Sequence, residues 1–234
     1  MSSSDEEDDK SWNPATETHP SIDLPLAFKI YCAKSRLTHS EFYIAHEKNK
    51  RLHAISGGYR GWLKSTVGLH QGPSIDTPTL ANAIIKRKTI QVTLPTGTTY
   101  SMQDCSSFKA HLHSASEFDF EVPVPGIPAP EHFEWRRSKG PEVASVDGRG
   151  KGGWVLLRVA HGADGEGEVV AAYSVDLTSI KLSGNFAFFN SGRTSEMGAD
   201  WVVMAIVTAL ALGQKKRDAI SGMVTISSVG VAYS

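Results

Sequence analysis

Cysteine is nearly absent: the 234 residues hold only Cys32 and Cys105. Two cysteines cannot form a disulfide framework, and neither has the C-x-x-C neighbour that a thiolate zinc site needs. The opening Met1-Ser2-Ser3-Ser4-Asp5-Glu6 lacks the cationic and apolar stretches of a secretory signal, so a reducing, cytoplasmic setting is expected. No catalytic signature is present either. There is no G-x-S-x-G and no local cysteine–histidine motif, so the expectation is a protein that binds rather than catalyses, with no cofactor and no metal. A triad scattered along the chain would still leave no local trace.

Charge of one sign is also scarce, with a formal net of −1 and a pI near 6.8. That balance argues against nucleic acid as a partner. It hides an asymmetry, however. Residues 1–23 carry seven acids against Lys10, leaving the remainder at a formal +5. Poor in apolar residues, this block cannot offset its ordering entropy and is expected to be a disordered acidic tail. Such a tail could recruit a protein partner.

What is abundant is punctuation: 21 glycines and 11 prolines separating short β-branched and aromatic runs. The expected strands are Phe42–His46, Arg51–Ile55, Thr66–His70, Thr79–Ile85, Ile90–Leu94 and Thr98–Met102. Six more follow at Phe108–His113, Phe118–Val122, His132–Arg136, Trp154–Ala160, Val169–Ser174 and Ile180–Phe189. Several alternate with period two, as strands with one wet face do. Turns are expected at Gly57-Gly58, Gly72-Pro73-Ser74, Pro95-Thr96-Gly97 and Ser183-Gly184-Asn185. Pro123, Pro125, Pro128 and Pro130 stiffen a loop that can be neither helix nor inner strand.

One segment breaks the pattern. Trp201–Leu212 is apolar on every face except for Thr208, with Asp200 before it as a candidate cap and Lys215-Lys216-Arg217 after it. A helix without a polar face must be enclosed, by protein or by lipid. Twelve residues rise about 18 Å, short of a hydrocarbon core of about 30 Å. Enclosure in protein is the better solution, and a mainly β fold follows: a closed antiparallel barrel of about twelve strands around a buried C-terminal helix. Trp201, Val203, Ile206, Val207 and Leu210 are its expected core residues. A membrane anchor through the same segment is the competing reading.

Three stretches carry a family resemblance. Thr66-Val-Gly-Leu-His-Gln-Gly-Pro-Ser74 with Pro78-Thr-Leu-Ala81 is the first. Phe133-Glu-Trp-Arg-Arg137, Trp154-Val-Leu-Leu-Arg158 and Glu168-Val-Val-Ala-Ala-Tyr173 form the second, and the apolar helix is the third. In order and spacing the chain resembles the tubby C-terminal-like superfamily, which includes LURP-one-related proteins and phospholipid scramblases, and within it the mainly fungal branch. The resemblance implies a barrel domain over residues 24–219 and lipid-related functions: phosphoinositide binding or a membrane-associated role. No scramblase-type calcium-ligand cluster is seen, so calcium-triggered activity is not implied. Ile220–Ser234 continues beyond the resembling region, as an edge strand or a loose extension.

Four chemical candidates remain. Gly148-Arg-Gly-Lys-Gly-Gly153 satisfies G-x-G-x-x-G in letters, but a strand is expected after it where a dinucleotide site needs a helix, so a basic loop is the better reading. His111 and His113 share the wet face of an expected strand and read as solvent-exposed histidines. Arg158 shares a face with Trp154 and Leu156, which predicts a partly buried, acid-paired guanidinium. Lys86, Arg87 and Lys88, together with Arg136, Arg137 and Lys139, are the candidate residues for an anionic lipid headgroup or membrane surface. Lys215-Lys216-Arg217 reads either as a further basic cluster or as a helix end. A protein-interaction scaffold that binds no lipid is the alternative function.

Overall fold

Twelve strands close into one antiparallel barrel. The computed structural model describes residues 17–35, 39–59, 64–105, 116–147, 152–159, 167–176 and 182–230, with backbone only from 220 onward. In chain order the strands are β1 (Ala27–Ser35), β2 (His39–Ala45), β3 (Arg51–Tyr59), β4 (Ser65–His70), β5 (Thr79–Ile85) and β6 (Thr89–Thr93). Next come β7 (Thr99–Asp104), β8 (Ser116–Val122), β9 (Glu131–Ser138), β10 (Gly153–Val159), β11 (Glu168–Val175) and β12 (Leu182–Phe188). Each pairs with its neighbours in sequence, and β1 closes on β12 through Phe28–Phe186 and Ile30–Gly184. Closure leaves no edge among these strands, which is how an all-antiparallel sheet protects its backbone groups.

A helix, α2 (Gly198–Gly230), enters the barrel after two 3₁₀ turns. Every residue from Trp201 to Gln214 is buried, so the five expected core residues are where the sequence places them. The one polar side chain in the apolar run has a specific role. Thr208 Oγ1 accepts from Trp135 Nε1 of β9 at 2.9 Å and donates back to the Met204 carbonyl at 2.7 Å. This fully buried wall tryptophan thus has its N–H satisfied by the helix, and the pair ties down the helix's depth. Around the entrance Trp201 packs against Phe133 and Phe188, with Phe186 and Phe28 stacked beyond. At Gly213 α2 passes so near the wall that a Cβ would collide with the Tyr173 hydroxyl.

Several expectations change. The closing strand β1 precedes the region where strands are expected, although Phe28, Ile30 and Cys32 alternate inward. Phe108–His113, with His111 and His113, lies outside the described residues. Gly57-Gly58 and Ser183-Gly184-Asn185 are not turns but lie inside β3 and β12. At Gly184 the backbones approach so closely that a Cβ would strike the Ser174 carbonyl. The expected disordered tail is ordered from residue 17: His19 is buried, bonded through Nε2 to the Gly192 carbonyl, and Leu24 is fully buried. Residues 1–16 lie outside the description.

An unexpected short helix, α1 (Pro141–Asp147), covers the outer wall, where Val143 and Val146 pack on Val155, Leu157, Ala172 and Ala187. This explains why Trp154-Val-Leu-Leu157 is apolar throughout rather than alternating: both faces of β10 are covered. Finally, α2 runs on to Gly230. Residues 220–230 are therefore a continuation of the core helix, neither an edge strand nor a loose extension. Asp200 lies within its first turn rather than before it.

Candidate functional site

The helix leaves the barrel at the end formed by the close of β1, β3, β5, β7, β9 and β11, and there the basic clusters meet. Lys215, Lys216 and Arg217 are consecutive, so helical geometry fans them out by about 100° each. Each lands on an aromatic ring of a different strand. Lys215 Nζ is 4.5 Å from the Phe118 ring centroid, Lys216 Nζ 5.0 Å from that of Trp154, and Arg217 Cζ 4.6 Å from that of Phe42. Their alkyl stems cover the apolar rim while the cations remain at the mouth. These three are thus a collar around the exit, and the reading of them as a helix C-terminus is corrected by the helix that continues beyond them.

The collar joins the two clusters singled out in the sequence. Lys215 Nζ donates to the Arg87 carbonyl at 2.7 Å and pairs with Asp104 at 3.3 Å. That contact ties the helix to the β5–β6 turn carrying Lys86, Arg87 and Lys88, where Arg87 and Lys88 are exposed. On another side, Arg137 Cζ lies 5.0 Å from the Trp154 centroid, sharing that ring with Lys216. Arg137, Ser138, Lys139, Gly152, Gly153 and Lys216 line an open cleft of about 200 Å³. Three strand spacings separate the β5–β6 turn from β9, about 15 Å around the rim. The clusters are neighbours on one rim, with collar residues between them.

Not every nominated residue belongs to this surface. Arg136 turns along the outer wall, where its guanidinium forms a 2.6 Å ion pair with Glu134, each side chain only 15% exposed. Lys86 donates to Gln91 at 2.9 Å. Acids at the rim are engaged as well: Asp104 holds Lys215, and Asp218 accepts from Gln214 Nε2 at 2.7 Å. Cys105 is next to Asp104 in sequence. Burial, followed by the Asp119 hydrogen bond and nearby carboxylates, pushes its thiol up to about 12.

The opposite end differs in sign. Glu17, Asp23, Glu47, Asp76, Glu121, Glu196 and Asp200 lie there with Lys48, Lys50, Arg51 and Arg193, so acids outnumber cations; Lys50 pairs with Glu47 at 3.0 Å and Arg193 with Glu17 at 3.2 Å. Arg158 is also here, donating from Nη2 to Glu131 Oε1 at 2.8 Å and ion-paired through Nε with Oε2 at 2.7 Å. The paired, partly buried guanidinium expected from the sequence is present, and its Glu131 partner raises its pKa further. At Gly148–Gly153, α1 precedes the loop and β10 follows it, the reverse of the strand-then-helix order a dinucleotide needs.

Lys216 and the rest of the collar were the part sequence reasoning undervalued. The signal existed, three cations after an apolar run, but their aromatic partners come from strands distant in sequence. One helix among the described residues, Ser195–Ala219, is long and apolar enough to cross a membrane, and 78% of its most apolar window is buried in the barrel. Compared with protein-family models, curated proteins and solved structures, the chain has no match.

Proposed function

We propose that this chain is a divergent tubby C-terminal-like barrel that binds the anionic phosphate headgroups of a membrane with its helix-exit rim, without catalysing a reaction. The observation that carries this reading is the convergence of Arg87, Lys88, Arg137, Lys139 and Lys216 on one end of the barrel. Clustered cations are favourable beside an anionic surface, each by about 1 kcal/mol near the headgroups. The acid-rich opposite end would be repelled, so the charge separation also orients the molecule. The cleft bounded by Arg137, Lys139 and Lys216 is the seat for a single phosphate-bearing headgroup. Arg137 supplies the fork-shaped donor set that suits a phosphate. The domain would then be a peripheral membrane protein of the cytoplasmic face.

The test is sedimentation with phosphatidylcholine vesicles that contain or lack phosphatidylserine. Binding should require the anionic lipid and weaken with salt. Replacing the exposed Arg87, Lys88 and Lys139 together by alanine should weaken it by roughly two powers of ten. Lys48→Ala with Lys50→Ala, at the opposite end, should leave it unchanged. Competition by a soluble inositol phosphate distinguishes a headgroup seat in the cleft from diffuse attraction. Binding that ignores salt and the triple substitution would overturn the proposal.

A further inference from the structure

The collar is not where α2 stops. The helix is 33 residues long, about 50 Å, but its buried run ends at Gln214. Beyond the cations and Asp218 comes Ala219-Ile-Ser-Gly-Met-Val-Thr-Ile-Ser-Ser-Val-Gly230, twelve helical residues without a single charge. Their composition is unsuited to a helix in water. Isoleucine, valine, threonine, serine and glycine rank below the strong helix formers, and no charged i, i+4 pair supports them. Short helices of this kind are marginal when solvated. In lipid the helix is favoured, because the hydrocarbon offers backbone groups no other partner.

Resting on the headgroup reading above, we infer that Ala219–Gly230 inserts into one leaflet of the anionic membrane that the rim binds. The geometry agrees in three respects. The segment leaves the barrel from its basic end, so docking that end points the helix at the bilayer. Lys215, Lys216 and Arg217 precede it with only Asp218 between, at headgroup depth, where cations flank inserted segments. Twelve residues reach about 18 Å, enough for a single leaflet of about 15 Å and too short for a span of about 30 Å. The buried half of the same helix, locked by Thr208 and Trp135, transmits that anchorage to the whole barrel. Insertion therefore supplies apolar contact and a fixed orientation that headgroup pairing alone lacks.

The experiment uses the full chain with both native cysteines replaced by serine and an environment-sensitive fluorophore on Val224→Cys. A second protein carries the label on Thr99→Cys, exposed at the opposite end. With vesicles containing phosphatidylserine, the label at position 224 should shift to the blue, brighten severalfold and be quenched by lipids carrying nitroxides in the acyl chain. The label at position 99 should do neither. Val224→Asp with Ile226→Asp should weaken vesicle binding while leaving the melting temperature unchanged, since both positions lie outside the barrel. Sedimentation with the vesicles while the label at position 224 stays aqueous overturns the insertion and leaves headgroup binding standing. Failure to sediment overturns both. A label already shielded without vesicles, in a particle of dimer size, overturns the insertion in favour of pairing with a second copy.

Discussion

Replacing Thr208 by valine probes the arrangement on which everything else depends. The substitution keeps volume and branching but removes the hydroxyl, so no cavity forms. It orphans Trp135 Nε1–H, which in the native barrel donates to Thr208 Oγ1 at 2.9 Å with both residues fully buried. A buried donor left without a partner costs about 1–3 kcal/mol. For a domain of this size the melting temperature should fall by about 2–4 °C for each kcal/mol. Thr208→Ser, which retains the acceptor and deletes one methyl, should cost about 1 kcal/mol. In the double-mutant cycle with Trp135→Phe, the two substitutions should be sub-additive, because the second removes the donor that the first orphaned. Thermal unfolding followed by circular dichroism reads all four proteins. A Thr208→Val protein as stable as the parent, or strict additivity in the cycle, would refute a helix seated at this depth against β9.

Other predictions follow from the same packing. Gly213→Ala would be stabilising by about 1 kcal/mol in a solvated helix, but here it should destabilise because the methyl meets the Tyr173 hydroxyl. Tyr173→Phe should relieve much of that cost, and a Gly213→Ala protein more stable than the parent contradicts the close approach. Ile206→Ala, fully buried inside the barrel, should lose about 2–5 kcal/mol in denaturant unfolding. His19 and His53 both have pKa values lowered from 6.5, in each case chiefly by burial. The folded protein thus binds fewer protons than the unfolded chain, and stability should fall as the pH drops below 6.5 toward the depressed values. His19→Gln with His53→Gln should flatten that slope between pH 7 and 5, and a parent protein that gains stability on acidification would contradict it.

The strand pattern was readable because the barrel has a dry inside and a wet outside. Ile90, Val92 and Phe118, Phe120 point inward while Gln91 and Asp119 do not. The apolar Trp201–Leu212 run likewise demanded enclosure, and a ring of strands was the available container. Where a segment departs from that rule, the reading weakened. β10 is apolar on both faces because α1 covers it, and α1 itself is too short to show a helical period. Glycines at positions 57 and 184 read as turns although both lie within strands; at Gly184 the cause is a close approach of the neighbouring backbone, which leaves no mark in the sequence distinct from chain reversal.

The basic residues show the same division. Composition already sets out three cationic clusters and an apolar rod followed by an uncharged stretch, because these are properties of contiguous residues. Which clusters share a surface depended on the antiparallel closure, which brings the β5–β6 turn and the end of β9 to the same end of the barrel and leaves Arg136 paired with Glu134 on the wall. The collar depended on it further. Phe42, Phe118 and Trp154 come from three strands, and only the helix axis along the barrel, with its 100° step per residue, brings one cation to each ring.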